Sequence, residues 1–339
     1  MNPHERLFDI NQDFLNHTLN HAESKVDEKE VVLDNGCRVR LLDLGVLQLD
    51  PPEASAEQLV ISAGVHGNET APIEVCNRLV SEILAGEWTV RTQTLLIFGN
   101  PIAMVAGERF MDYNLNRLFA GTHDDEQHRG TREAARAKRL EALVEDFADG
   151  RRPLFHYDLH TAIRPSKREK FALYPFVPGR EVPEQQVAFL KHSDVHTLLL
   201  QHREGTTFAS WTSSHFGAES FTIELGKVRP FGQNELSRFA GIENSLRELL
   251  QGHWPQAEGD VWQDMVCFEV VTEILRTGDD FRFHIPDNVP NFTEYPPGTL
   301  IWEDSKQRHE VGDKPEAIVF PNPYVPVGQR VGLLVRRRD

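Results

Sequence analysis

Apolar positions follow two rhythms in the first three quarters of the chain and a third after them. Strands are predicted at 154–159 and 220–225, where polar residues interleave with apolar ones, and at 59–63 and 94–98, where they do not: Leu-Val-Ile-Ser-Ala at 59–63 is a nearly unbroken apolar run. Short unbroken apolar runs of this kind predict strands covered on both faces. Between them, apolar residues recur every three or four positions. After Glu69 a helix is predicted, with Pro72 in its first turn, the stripe Ile73, Cys76, Leu79, Val80 and Ile83, and Gly86 at its end. A charged helix follows at 132–147, a strand at 171–176, and helices at 184–192 and 234–250. Strand, helix, strand in series implies right-handed crossovers, hence an α/β fold with a largely parallel sheet flanked by helices.

The flanking segments read differently. Leu7, Ile10 and Phe14, with Leu15 beside them, predict a peripheral helix within residues 1–30. Residues 31–49 hold two apolar runs about Asn35-Gly36, which predicts a hairpin because Asn-Gly suits a tight turn. Composition shifts near residues 252–260. Beyond it apolar and polar residues alternate, prolines multiply and no helix is predicted, so a catalytic domain over 1–255 and a smaller β domain over 256–339 are expected. Strands are expected there at 265–275, 281–284, 299–302, 317–320 and 331–335.

The 339 residues carry 36 Lys and Arg against 52 Asp and Glu, a net charge of −16. That balance argues against nucleic acid or an anionic membrane as the main partner. Cys37, Cys76 and Cys267 are odd in number, widely spaced and mostly set among apolar neighbours, which predicts reduced thiols. The start, Met-Asn-Pro-His-Glu-Arg, lacks the features of a signal peptide, and no apolar run is long enough to span a bilayer, so a cytoplasmic location is expected. Whether the chain forms a homo-oligomer is left open by the pattern.

Candidate chemistry sits where predicted strands end. His66 and Glu69 follow the 59–63 run, and ligands of open α/β sheets bind at the carboxyl ends of strands. An imidazole and a carboxylate in His-x-x-Glu suit zinc, although the same residues also suit a plain polar turn. His123 and Glu126 repeat the spacing in a polar stretch with no strand before it, and serve as a decoy. A catalytic zinc needs a third ligand, and His160 is the best candidate at the end of 154–159. Asp158 lies on the same strand face and is placed to orient a ligand or the attacking water. His156, deeper in that strand, reads as structural. Glu224 in Phe-Thr-Ile-Glu-Leu-Gly is an acid in a buried strand; it is either one half of a buried ion pair or the proton-transfer group that a zinc hydrolase needs. The loop at 107–119 supplies Arg109, Asn116 and Arg117 for anion recognition and carbonyl polarisation. Each of these three, taken alone, is more usual as a surface residue. The basic loop at 161–170, with Arg164, reads first as a solvated face.

The ordered set Gly-Val-His66-Gly-Asn-Glu69, Arg109, Asn116-Arg117, Asp158-Leu-His160 and Ile-Glu224-Leu-Gly resembles the aspartoacylase branch of the zinc carboxypeptidase-like hydrolases. The resemblance spans nearly the whole chain. It implies that fold, one zinc ion held by His66, Glu69 and His160, carbonyl polarisation by Arg109, a substrate carboxylate on Asn116 and Arg117, and Glu224 as acid/base. It further implies amide hydrolysis of a small N-acyl amino acid, with N2-succinyl-L-glutamate as substrate in the last step of an arginine degradation route. An aspartoacylase-like or carboxypeptidase specificity is the alternative. Tyr324 is the candidate for a tyrosine that lines the site from the C-terminal domain, and Arg164 for the remaining carboxylate. Ser213 and Ser214 stand where aspartoacylases carry an arginine for the acyl carboxylate.

Overall fold

The computed structural model describes residues 3–9 and 13–338. The chain starts as two short helices, α1 (Pro3–Leu7) and α2 (Phe14–Asn20), where the spacing predicts one peripheral helix. Asp13 divides them, because its carboxylate accepts the Asn16 amide and caps α2. Ile10 of the predicted stripe lies outside the described residues. Leu7 and Phe14 are fully buried, and Phe14 stacks on Phe98 with ring centroids 4.5 Å apart, so this segment belongs to the core.

Strands β1 (Lys29–Val32) and β2 (Arg38–Asp43) form the hairpin about Asn35-Gly36. The chain then turns again at Gly45, φ 69°, into β3 (Val46–Asp50), so the expected hairpin is a three-stranded meander. Every residue of β4 (Gln58–Ala63) is buried, as its unbroken apolar run requires. It lies between β5 (Gln93–Phe98) and β6 (Leu154–Ala162), parallel to both. Helix α3 (Thr70–Ala85) makes the crossover from β4 to β5 and buries the predicted stripe from Ile73 to Ile83.

Next come α4 (Pro101–Ala106), the 107–119 loop and α5 (Arg132–Phe147). After β6 follow β7 (Phe171–Tyr174), α6 (Glu184–His192), β8 (Thr197–Leu200), α7 (Phe208–Phe216) and β9 (Glu219–Lys227). Neither β8 nor α7 was legible in the pattern: β8 has four residues, and the serines and threonines of α7 blur its period. The last helix, α8 (Ala240–Leu250), starts later than expected because Leu236–Phe239 is a 3₁₀ turn.

Beyond α8 the regular elements among the described residues are strands: β10 (Val266–Leu275), β11 (Arg282–Phe283), β12 (Thr293–Tyr295), β13 (Leu300–Glu303), β14 (Arg308–Glu310), β15 (Glu316–Val319) and β16 (Arg330–Arg337). Two that the pattern did not predict, β12 and β14, have three residues each and are too short to show alternation. Because β10 pairs parallel with β8, the C-terminal strands extend the central sheet. That sheet has 13 strands in the order β1-β2-β3-β5-β4-β6-β9-β7-β8-β10-β16-β15-β12, with β11-β13-β14 as a small second sheet. Among the described residues no helix is long and apolar enough to cross a membrane.

Candidate active site

Strands β4, β6 and β9 run parallel side by side, so the turn after β4 and the ends of β6 and β9 meet at one edge of the sheet. The turn carries His66 and Glu69, and it lies flat on α4. A Cβ at Gly67 would stand 2.2 Å from the Ala103 carbonyl carbon, so only glycine permits this approach.

His66 Nδ1 lies 2.9 Å from Glu69 Oε1 and 3.2 Å from His160 Nδ1, while His160 Nδ1 lies 2.8 Å from Glu69 Oε2. All three side chains are buried. Their outer atoms are fixed by neighbours. Asn114 Oδ1 accepts the Asn116 amide at 3.0 Å, so the atom it turns to His66 Nε2, at 2.9 Å, is an acceptor, and Nε2 donates. Likewise His160 Nε2 donates to Asp158 Oδ2 at 2.8 Å, and the Ser62 hydroxyl donates to Asp158 Oδ1 at 2.6 Å. What remains at the centre is the His66 Nδ1 lone pair, His160 Nδ1 and the Glu69 carboxylate. Ligand atoms on tetrahedral zinc stand about 3.3 Å apart, given bonds near 2.0–2.1 Å, so a slight expansion seats a divalent ion among two nitrogens and an oxygen. The donor set fits.

Burial opposes charge on His160, but Asp158 and Glu69 outweigh it and hold its pKa well above the usual imidazole range. Burial also raises Glu69, yet His66 and His160 hold it well below the carboxylate range. His66 is lowered to about 4, by burial first and then by the Arg109 charge, and stays neutral.

Glu224 faces His160 in the β6–β9 register and is buried, and its Oε2 has no hydrogen-bond partner. Burial, then the charge of Glu69, raises its pKa to about 7. The ion-pair reading of this residue has no support, since the orphan oxygen is the atom an ion pair would occupy. A buried acid with a free oxygen and a pKa near neutrality is equipped for proton transfer.

Arg109 Nη1 donates to Glu69 Oε1 at 2.6 Å. Its loop is held by the buried Glu133 of α5, whose carboxylate accepts the amides of Met111 at 2.7 Å and Asp112 at 3.1 Å. Asn116 Oδ1 accepts the Phe208 amide at 2.8 Å, while its Nδ2 lies 3.3 Å from a His160 nitrogen that already donates to Asp158, so the NH2 group is left as a donor. Arg117 donates to the Asn116 carbonyl at 2.7 Å and is only partly buried. Burial, then the charges of Arg330 and Arg109, lowers it to about 9. Arg330, at the start of β16, and Arg203 both pair with Glu273 of β10. Arg164 and Tyr324 are not gathered at the His66 centre; both bond Asp287 at the surface, where Tyr324 is 72% exposed.

His156 meets Ser62 Oγ at 2.8 Å and Thr212 Oγ1 at 2.9 Å, an internal hydrogen-bonded link behind Asp158. The decoy separates: His123 is buried against Glu141 at 2.9 Å, while Glu126 is exposed. All three cysteines are free. Sequence reasoning missed Asn114, Glu133, Ser62 and the Arg203–Glu273–Arg330 group. Asn114 had a faint signal, two residues before Asn116 in a polar loop; the others reach the site only through the fold. A cavity of about 1080 Å3 opens elsewhere, beside Tyr174, Arg180 and Cys267, and includes none of these residues.

Comparison with known proteins places the chain in a family. Residues 55–250 match the family model of the succinylglutamate desuccinylase/aspartoacylase catalytic domain, and residues 263–338 match the AstE/AspA barrel-sandwich hybrid domain. The chain is 40% identical over 332 residues to succinylglutamate desuccinylase of Shewanella piezotolerans, covering 97% of this chain and 96% of that protein. The crystal structure of the succinylglutamate desuccinylase of Chromobacterium violaceum is similar at TM-score 0.84 and 38% identity, covering 96% of this chain and 98% of that one. That from Vibrio cholerae is similar at TM-score 0.87 and 33% identity, covering 98% and 96%. Murine aminoacylase 3, at TM-score 0.53 and 17% identity over 84% of this chain and 97% of that one, shares the fold alone. The chain therefore belongs to the succinylglutamate desuccinylase/aspartoacylase family of hydrolases.

Proposed function

We propose that this protein hydrolyses the amide bond of N2-succinyl-L-glutamate, giving succinate and L-glutamate in the last step of an arginine degradation route, with one zinc ion held by His66, Glu69 and His160. The observation that carries the reading is the convergence of those three side chains beside the unpartnered carboxylate of Glu224. Relatives that match 97% of this chain bear the name of that activity.

Zinc, when bound, polarises the scissile carbonyl and acidifies the attacking water. Glu224 takes a proton from that water and delivers it to the departing nitrogen, a role suited to a pKa near 7. Arg109 stabilises the developing oxyanion. Asp158 and Asn114 orient the two imidazoles through their outer nitrogens. The substrate carries three carboxylates, and a chain of net charge −16 must concentrate cations around its cleft to admit it. Arg117 and Arg330 supply that concentration. Glu273 holds Arg330 and Arg203 in place, and the Asn116 NH2 group, not used by the Phe208 amide contact, is left to donate to a substrate carboxylate. The boundary near residue 256 is drawn where helices give way to strands, and three free cysteines suit a reducing cytoplasm.

Turnover of N-succinyl-glutamate, N-acetyl-aspartate and a C-terminal dipeptide by zinc-loaded protein tests the reading. Succinyl-glutamate is expected to be cleaved at least about tenfold more efficiently, the discrimination available from one buried charged contact. Equal or faster turnover of acetyl-aspartate would overturn the substrate assignment.

A further inference from the structure

Apart from the His66 centre, one other group of metal-ligating side chains converges among the described residues: Asp9, His17 and His21, whose ligand atoms lie within 4.8 Å of one another. His17 and His21 are four residues apart at the end of α2, so both rings fall on one side of the helix, with centroids 4.4 Å apart. Asp9 reaches them from two residues beyond α1. The His21 Nδ1 proton is spent on the His17 carbonyl at 2.9 Å, which turns the Nε2 lone pair toward Asp9 Oδ2 at 3.1 Å. An imidazole lone pair and a carboxylate oxygen facing each other need a positive charge between them.

His17 supplies the second, independent observation. Its side chain is 2% exposed, yet neither ring nitrogen has a hydrogen-bond partner, and Nδ1 stands 4.0 Å from Asp9 Oδ2. A buried imidazole with both nitrogens orphaned costs on the order of 1–3 kcal/mol for each unsatisfied group. Burial above all keeps it neutral, its pKa lowered to about 4, the state in which imidazole binds a metal. Nothing in the His66 mechanism uses these residues. We propose that Asp9, His17 and His21 form a second divalent transition-metal site, which ties the residues just after α1 to the end of α2. Two imidazoles and one carboxylate select zinc, nickel or copper over calcium or magnesium, which take oxygen ligands. The gaps here are wider than at the His66 centre, so closure on an ion draws the three groups together by up to about 1.5 Å, given bonds near 2 Å.

The test is metal content per chain. Protein is loaded with Zn2+, freed of excess by gel filtration and measured by elemental analysis. The parent should hold about two equivalents; His21→Ala, Asp9→Ala and His66→Ala about one each; and His21→Ala/His66→Ala almost none, because metal sites without shared ligands fill independently. His21→Ala should keep turnover within about twofold, since it touches no group of the catalytic cluster. Added zinc should raise the melting temperature of His66→Ala but not that of the double variant. A parent holding one equivalent that His66→Ala removes would overturn the proposal, as would a second equivalent that survives both His21→Ala and Asp9→Ala.

Discussion

Two regions carry the residues assigned to chemistry, and they differ in how they are built. The His66 centre hangs from the ends of three adjacent parallel strands whose residues are almost all buried, and each ligand has a neighbour fixing its far side. The rim, with Arg164, Tyr324, Arg203 and Arg330, comes from loops and from the start of one C-terminal strand, and its charges are tied to Asp287 and Glu273. On the proposed function, the rigid centre would fix where proton and metal chemistry happens, and the looser rim would set which anion is admitted. Substitutions at the centre should therefore lower kcat, and substitutions at the rim should raise KM.

The largest expected effect is at Glu224. Glu224→Gln keeps every ligand and should retain zinc while kcat falls about 10³-fold, the scale of a lost proton-transfer group. Unchanged turnover would remove Glu224 from the mechanism. The same variant has a stability signature in metal-stripped protein. The folded pKa of Glu224 is raised from 4.5 to about 7, so the folded chain keeps a proton that the unfolded chain releases. Its contribution favours folding below pH 4.5 and is lost as pH rises to about 7. Glu224→Gln should then be more stable than the parent above pH 7, by about 3 kcal/mol on the conversion of 1.36 kcal/mol per unit, and the gap should close below pH 4.5. Denaturant melts at both pH values would show it.

Asn114 comes next. Asn114→Ala frees His66 Nε2, and zinc affinity measured by chelator competition should drop about 10- to 100-fold, with Asn114→Asp restoring much of it. Affinity equal to the parent would mean that the outer hydrogen bond does not orient the ligand. At the rim, Arg330→Met should raise KM for succinyl-glutamate about tenfold with kcat within about threefold, as expected for loss of one carboxylate contact. A fall in kcat alone would move Arg330 from rim to centre. The smallest effects belong to Arg164→Ala and Tyr324→Phe, where exposed pairs of this kind contribute about 1 kcal/mol or less, so kcat/KM should stay within about fivefold.

The same contrast explains what could be read along the chain. His66 and Glu69 were legible because they follow a nearly unbroken apolar run that marks a buried strand, and His160 and Glu224 because a polar residue with apolar neighbours in a buried strand must face a cleft or a partner. The meander at Gly45 and the short strands β8, β12 and β14 were not, since a few residues carry no period. The contact of Asn116 Oδ1 with the amide of Phe208 could not be read along the chain, since the two lie 92 residues apart in sequence. Arg330 and Glu133 could not be singled out at all, because their closeness to the centre arises from strand pairing and loop closure rather than from spacing. The shared contact of Arg164 and Tyr324 with Asp287 was not legible either, because a basic loop and a late tyrosine carry no spacing that fixes their partners.

The most direct test is anomalous diffraction at the zinc edge from crystals of the zinc-loaded parent. The account predicts a strong peak about 2.0–2.2 Å from His66 Nδ1, His160 Nδ1 and a Glu69 oxygen, with the Glu224 carboxylate outside bonding distance. Zinc bound by Glu224 in place of Glu69, or no peak between His66 and His160, would contradict it.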